Sequence, residues 1–147
     1  MRVVRLIVLL LLVAGGYLVY TRVERTPPVI ATRTASAFAG ASYEHEFRLS
    51  DEGMGLRSAK VTLRAGGEEW GLAEEAYPGN PIQGASLDIE RPIKVAVNAK
   101  ELGIPDGPAT LIVEASDFSW MGNKSEVSIP LTIDTQPPRE ELDSCFP

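Results

Sequence analysis

Leu6–Tyr20, LIVLLLLVAGGYLVY, contains no charged side chain. Arg2 and Arg5 precede it, and Thr21 and Arg22 follow. A helix that crosses a hydrocarbon core of roughly 30 Å needs about 20 apolar residues, at a rise of about 1.5 Å each. Leu6–Tyr20 supplies roughly 22 Å of that span. Val3 and Val4 extend it to roughly 27 Å, with Arg5 close enough to the end for its side chain to snorkel to the headgroups. A secretory signal needs a small-x-small cleavage site after its apolar region. Ala14-Gly15-Gly16 is the one candidate for such a site. It lies inside the run, ahead of Tyr17-Leu18-Val19-Tyr20. Two tyrosines at that end suit an interfacial aromatic belt. The run is therefore expected to be an uncleaved single-pass anchor, in contact with the lipid bilayer through Leu6–Tyr20. A cleaved signal is the alternative. Arg2 and Arg5 favour a cytoplasmic N-terminus, which puts the rest of the chain outside the cytoplasm.

The remainder has the size of one domain. The chain has 147 residues and a formal net charge of −6. Its first 25 residues hold four arginines and one glutamate, so ten Lys or Arg face nineteen Asp or Glu beyond them. An acidic domain is a poor partner for nucleic acid or anionic lipid, and no nucleic-acid partner is expected. Cys145 is the single cysteine and excludes an internal disulfide. A domain of this size can fold on its hydrophobic core alone. Thr26-Pro27-Pro28 and Gln136-Pro137-Pro138 bracket the domain, because paired prolines stop helices and set an extended chain. Three segments result. Residues 1–25 form a cytoplasmic tip, a transmembrane helix and a short linker. Residues 26–138 form the folded domain, and residues 139–147 a polar tail.

Between the prolines the apolar residues recur with a period of two, which places one face of a strand in a core. Tyr43, His45, Phe47 and Leu49 alternate with Glu44, Glu46 and Arg48. Ala59, Val61, Leu63 and Ala65 form a second row, Ile93, Val95 and Val97 a third, and Val127, Ile129, Leu131 and Ile133 a fourth. Thr110–Ala115 is apolar enough to lie centrally. Val29–Thr32 supplies a first strand, and Trp70 and Leu72 mark a shorter one after a Gly66-Gly67 hairpin turn. Pro130 cannot donate a ladder hydrogen bond, which puts the last strand at an edge or gives it a bulge. Asn98–Gly103 reads as one helical turn, capped by Asn98 and ended by Gly103. Tyr77–Ser86 reads as a loop. The fold class expected is all-β: an immunoglobulin-like β-sandwich of about seven strands behind one N-terminal transmembrane helix, with a closed barrel as the alternative.

No catalytic, cofactor-binding or metal-binding set stands out. His45 is the sole histidine, too few for a typical catalytic zinc site, and it falls on an apolar face. No Gly-x-Ser-x-Gly is present. Asp51-Glu52-Gly53-Met54-Gly55 could join Asp117 and Asp134 in an oxygen-ligand cation site. Its spacing fits better a turn in which the Asp51 carboxylate accepts backbone N–H groups. Glu68-Glu69 and Glu74-Glu75 read as a solvated acidic edge that discourages strand pairing with other chains. The candidate binding loop is 115–123, where Asp117, Phe118, Trp120 and Asn123 could stack on and hydrogen-bond a sugar or peptide. The competing reading folds Phe118 and Trp120 over the open end of the core, with Asp117 and Asn123 capping the loop.

The order of these features resembles the N-terminal, non-catalytic region of membrane-anchored bacterial peptidases of the M23 (LytM/lysostaphin-like) family. The residues that carry the likeness are Ser50–Arg57, Val61-Thr62-Leu63, Ala99–Gly103 with Asp106–Ala109, Ala115–Asn123, and Asp134-Thr135-Gln136-Pro137-Pro138. The resemblance implies an anchor in the bacterial inner membrane, a C-terminal domain in the periplasm, and association with the cell wall. The His-x-His and upstream zinc ligands of that family have no counterpart in this sequence, so the resemblance implies no hydrolysis and no cofactor. The expected function is a non-catalytic anchoring or positioning module of a cell-wall peptidase system. Its alternatives are a module that binds peptidoglycan or an envelope protein, and the first part of a longer zinc endopeptidase.

Overall fold

The computed structural model describes residues 2–32, 38–40, 42–85 and 90–136. Cys145 and the Pro137-Pro138 pair lie outside these residues. Helix α1 runs from Arg2 to Arg22, 21 residues, and none of them is buried. It is long and apolar enough to cross a membrane. A core helix would hide one face against the protein, so the exposed Leu6–Val13 run must be covered by something else. The helix is longer than the apolar run at both ends. The Thr21 hydroxyl bonds back to the Leu18 carbonyl at 3.0 Å, and Val23 N–H still reaches Val19 O at 2.9 Å.

The domain is an all-β sandwich. The strands are β1 (Val29–Thr32), β2 (Phe38–Ala39), β3 (Ser42–Ser50), β4 (Leu56–Ala65), β5 (Glu68–Ala76), β6 (Gly79–Asn80), β7 (Gly84–Ala85), β8 (Glu90–Asn98), β9 (Gly107–Asp117) and β10 (Lys124–Ile133). One sheet has the order β1-β3-β8 and the other β2-β10-β9-β4-β5. The seven longer strands are the seven expected from alternation, and β2, β6 and β7 are two-residue additions. The inward row of β3 and β8 is Tyr43, Phe47, Leu49, Ile93, Val95 and Val97, all buried. The facing row of β4 and β9 is Ala59, Val61, Leu63, Leu111, Val113 and Ala115, also buried. Phe47 lies opposite Ile93, and Leu63 opposite Leu111, so each ladder presents its large apolar residues at one level.

Local signals behave as their chemistry requires. Gly66 and Gly67 both have positive φ, 57° and 88°, in the two-residue turn between β4 and β5. The short helix α2 (Ala99–Leu102) is capped by the Asn98 side chain and ends at Gly103 with φ 67°. Pro130 faces Thr110 of β9, while β2 pairs with β10 only at Thr132 and Ile133. The missing N–H of Pro130 therefore interrupts no described ladder. Strand β5 is longer than the Trp70–Leu72 signal, at nine residues. A register shift at Val61/Thr62 skips Leu72 and changes which residues face inward, so alternation in β5 is broken although pairing continues. The acidic pairs Glu68-Glu69 and Glu74-Glu75 lie exposed on β5, the outer strand of its sheet. The 77–86 loop contains the β6–β7 hairpin, whose tip is held by Asn80 Oδ1 accepting from Ile82 and Gln83 N–H at 2.9 and 2.8 Å.

Candidate functional site at the helix-to-domain junction

Two loops at one end of the sandwich meet the linker that leaves α1. The first joins β3 to β4. Its Asp51 is buried, and Asp51 Oδ2 accepts the Gly55 N–H at 2.5 Å. Gly55 has φ 80°, which the turn requires and which a side chain would resist. The second joins β9 to β10. Asp117 is fully buried, and its Oδ1 accepts from Ser119 N–H at 3.1 Å, Ser119 Oγ at 2.7 Å and Asn123 N–H at 3.0 Å. Its Oδ2 accepts from Asn123 Nδ2 at 2.9 Å. Phe118 N–H donates to Gly55 O at 3.0 Å and ties the two loops together.

The linker then docks on the second loop and the start of β10 through every second carbonyl. Arg22 O accepts from Trp120 N–H at 3.2 Å. Glu24 O and Thr26 O accept from Asn123 Nδ2 at 3.1 and 3.3 Å. Pro28 O accepts from the Ser125 hydroxyl. This is the alternation of an extended strand. Pro27 and Pro28 lack N–H groups, so at these two residues the backbone can be bound only through its carbonyls, and the donors to the row are the Trp120 backbone and the Asn123 and Ser125 side chains. Toward the first loop, the Glu24 carboxylate accepts the Met54 N–H at 2.8 Å, and Arg22 Nη1 lies 3.2 Å from Met54 Sδ.

Glu24, Asp51 and Asp117 thereby bring ligand-type oxygens within 4.8 Å of one another. Burial raises the pKa of Glu24 most, and the charges of Asp51 and Asp117 add to it, against the Met54 N–H. Burial likewise raises that of Asp51, with Asp117 and Glu52 adding and the Gly55 and Gly53 N–H groups opposing. Three such oxygens are of the type that hold a hard cation. Here each carboxylate already accepts from N–H or O–H groups of the junction, so the trio acts as a knot that joins linker to domain. Asp134 does not belong to it. It follows the far end of β10, roughly 30 Å along that strand from Asn123, where its N–H bonds Ala39 O. Glu24 was not visible as a participant from the sequence, where it is one charge among several in a short linker.

The four residues of the candidate binding loop separate by role. Asp117 and Asn123 form the loop's internal hydrogen bonds, and Phe118 is buried against Gly79 of β6. Trp120 stays 47% exposed, and its Nε1 donates to Pro81 O at 2.8 Å. His45 lies elsewhere, on the inward side of β3. Its ring stacks 5.9 Å from Tyr43 and meets Phe47 edge-on at 4.6 Å, with Nε2 2.7 Å from the Thr32 hydroxyl. Burial lowers its pKa below the ordinary imidazole value.

No protein-family model and no curated protein matches this sequence. Among solved structures, the fusolin of Wiseana spp entomopoxvirus spindles is similar over 78% of this chain and 46% of its own length, with 12% identity and a TM-score of 0.44. This chain thus spans less than half of that protein, and a likeness at this level carries no argument about fold or function.

Proposed function

We propose that this chain is a non-catalytic, membrane-anchored module. Its immunoglobulin-like sandwich is held in a fixed pose beside the bacterial inner membrane, on the periplasmic side, as the positioning part of a cell-wall peptidase system. The observation that carries this reading is the row of carbonyls at Arg22, Glu24, Thr26 and Pro28 bound by Trp120, Asn123 and Ser125. A flexible tether would leave those groups to water. A bound linker instead transmits the direction of α1 to the domain. The exposed apolar surface of α1 over Leu6–Tyr20 supports the anchor, and the single histidine, His45, is packed against Tyr43 and Phe47 away from the junction.

Two measurements test it. Alkaline extraction of membranes from cells expressing the full chain leaves the protein in the membrane pellet, with an intact N-terminus by mass spectrometry. A soluble product beginning at Tyr17 sinks the anchor. Isolated peptidoglycan or a wall hydrolase co-purifies with the detergent-solubilised chain. If neither does, the wall assignment fails while the anchor stands.

A further inference from the structure

We propose that the β6–β7 tip and the 118–122 loop form a second membrane contact, an uncharged apolar foot that rests on the lipid surface next to α1. This inference rests on the anchor reading. Ile82, Trp120 and Met121 are 64%, 47% and 60% exposed. Among the described residues, the other exposed large apolar side chains of the domain, Val29 and Leu102, stand apart, whereas these three belong to two loops joined by the Trp120 Nε1–Pro81 O bond. Trp120 N–H is bonded directly to the carbonyl of Arg22, the last residue of α1. A helix of 21 residues spans roughly 30 Å, so its Arg22 end lies at the headgroup level and Trp120 lies there with it.

The hairpin is tied to the same end. Ala85 N–H donates to Met54 O at 2.7 Å, and Met54 N–H donates to Glu24 of the linker. Gly84 approaches so closely that a Cβ there would lie 2.5 Å from Met54 O. The charge pattern fits a lipid surface. In an acidic domain, residues 76–85 and 118–123 contain no charged residue at all, while Arg22 and Arg25 flank them on the linker. The foot itself presents apolar side chains to the interface, where tryptophan is favoured, while the nearby carboxylates of Glu24, Asp51 and Asp117 are taken up by hydrogen bonds inside the junction. The Trp120 indole Nε1–H is already satisfied by Pro81 O, so the ring can enter the boundary region without stranding a donor.

The chain provides its own control. Trp70 pairs with Leu63, seven residues along β4 from Leu56 at the junction, which is roughly 23 Å away. The test uses the full chain in phosphatidylcholine vesicles with acyl chains brominated near the headgroup, W70F to report Trp120 and W120F to report Trp70, and circular dichroism to establish that each variant keeps its sheets. The expected result is at least about two-fold loss of Trp120 emission on bromination, as for an interfacial tryptophan, with Trp70 unaffected. Replacing Ile82 and Met121 together by Asp in the W70F background should restore the Trp120 emission, because both side chains face solvent and carry none of the core. Equal quenching of the two tryptophans, no quenching of Trp120, or quenching unchanged by the double replacement overturns the inference while the protein still floats with the vesicles. Protein that does not float with the vesicles overturns the anchor itself.

Discussion

Asn123 Nδ2 lies 3.1 Å from the carbonyl of Glu24, a hydrogen bond between residues 99 apart in sequence. The same amide also faces Thr26 O and Asp117 Oδ2. One side chain therefore holds the linker to the β9–β10 loop and that loop to itself.

Asn123→Ala should loosen the junction without opening the sandwich. It strands the carbonyl of half-buried Glu24 and one oxygen of Asp117, while the exposed Thr26 carbonyl turns to water, and leaving buried groups unpaired costs about 1–3 kcal/mol. Hydrogen exchange should accelerate in the linker and at Ser119–Gly122 while β4 and β9 stay protected. Uniform acceleration across β9 would show instead that the loop is integral to the core.

The junction should grow more stable on mild acidification. Glu24 and Asp51 have folded pKa values raised by burial and then by their neighbours' charges. A carboxyl raised in this way destabilises the fold where it is ionised in both states. That penalty is full above the folded value and gone below the unfolded one, so stability rises as pH falls through the window between them. Exposed Asp106 runs the other way, its pKa lowered by hydrogen bonds from Thr135. Comparison with Glu24→Gln removes that background. The difference in melting temperature between Glu24→Gln and wild type should be largest near neutral pH and shrink toward the ordinary carboxylate range. A difference independent of pH would show that Glu24 does not titrate with folding.

Gly84→Ala should detach the β6–β7 hairpin. Gly84 has φ 83°, and the added Cβ would meet the backbone oxygen of Met54 at 2.5 Å. Strain of this kind costs about 1–3 kcal/mol, and relief requires breaking the Ala85–Met54 bond. Limited proteolysis should then cut near Ile82, which the wild type resists. Equal resistance would mean that the hairpin is held from elsewhere.

The sandwich was legible because its information is local. Alternation of two in β3, β4, β8 and β10 assigns a face to each residue before any partner is known. The Asn98 and Gly103 caps, and the Gly66-Gly67 turn, are set by backbone chemistry within a few residues. Where a register shift breaks the period, at β5, the sequence signal shortened to Trp70 and Leu72 although nine residues pair. The turn at Asp51 was also readable, since its carboxylate bonds only four residues ahead.

By itself, then, the sequence determined the apolar helix, the strands and their inward faces, because each depends on periodicity along one short stretch. Only the tertiary structure decided what the junction is. Glu24, Asp51 and Asp117 belong to three separate segments, and no spacing rule relates them. Their approach within 4.8 Å follows from two sheets packing so that the β3–β4 and β9–β10 loops share one end, beside a linker that Pro27 and Pro28 keep extended. The same packing separated Asp134 from that group by the length of β10. It also tied the apolar helix to the domain, since the carbonyl of Arg22, the last residue of α1, is bound by Trp120 N–H.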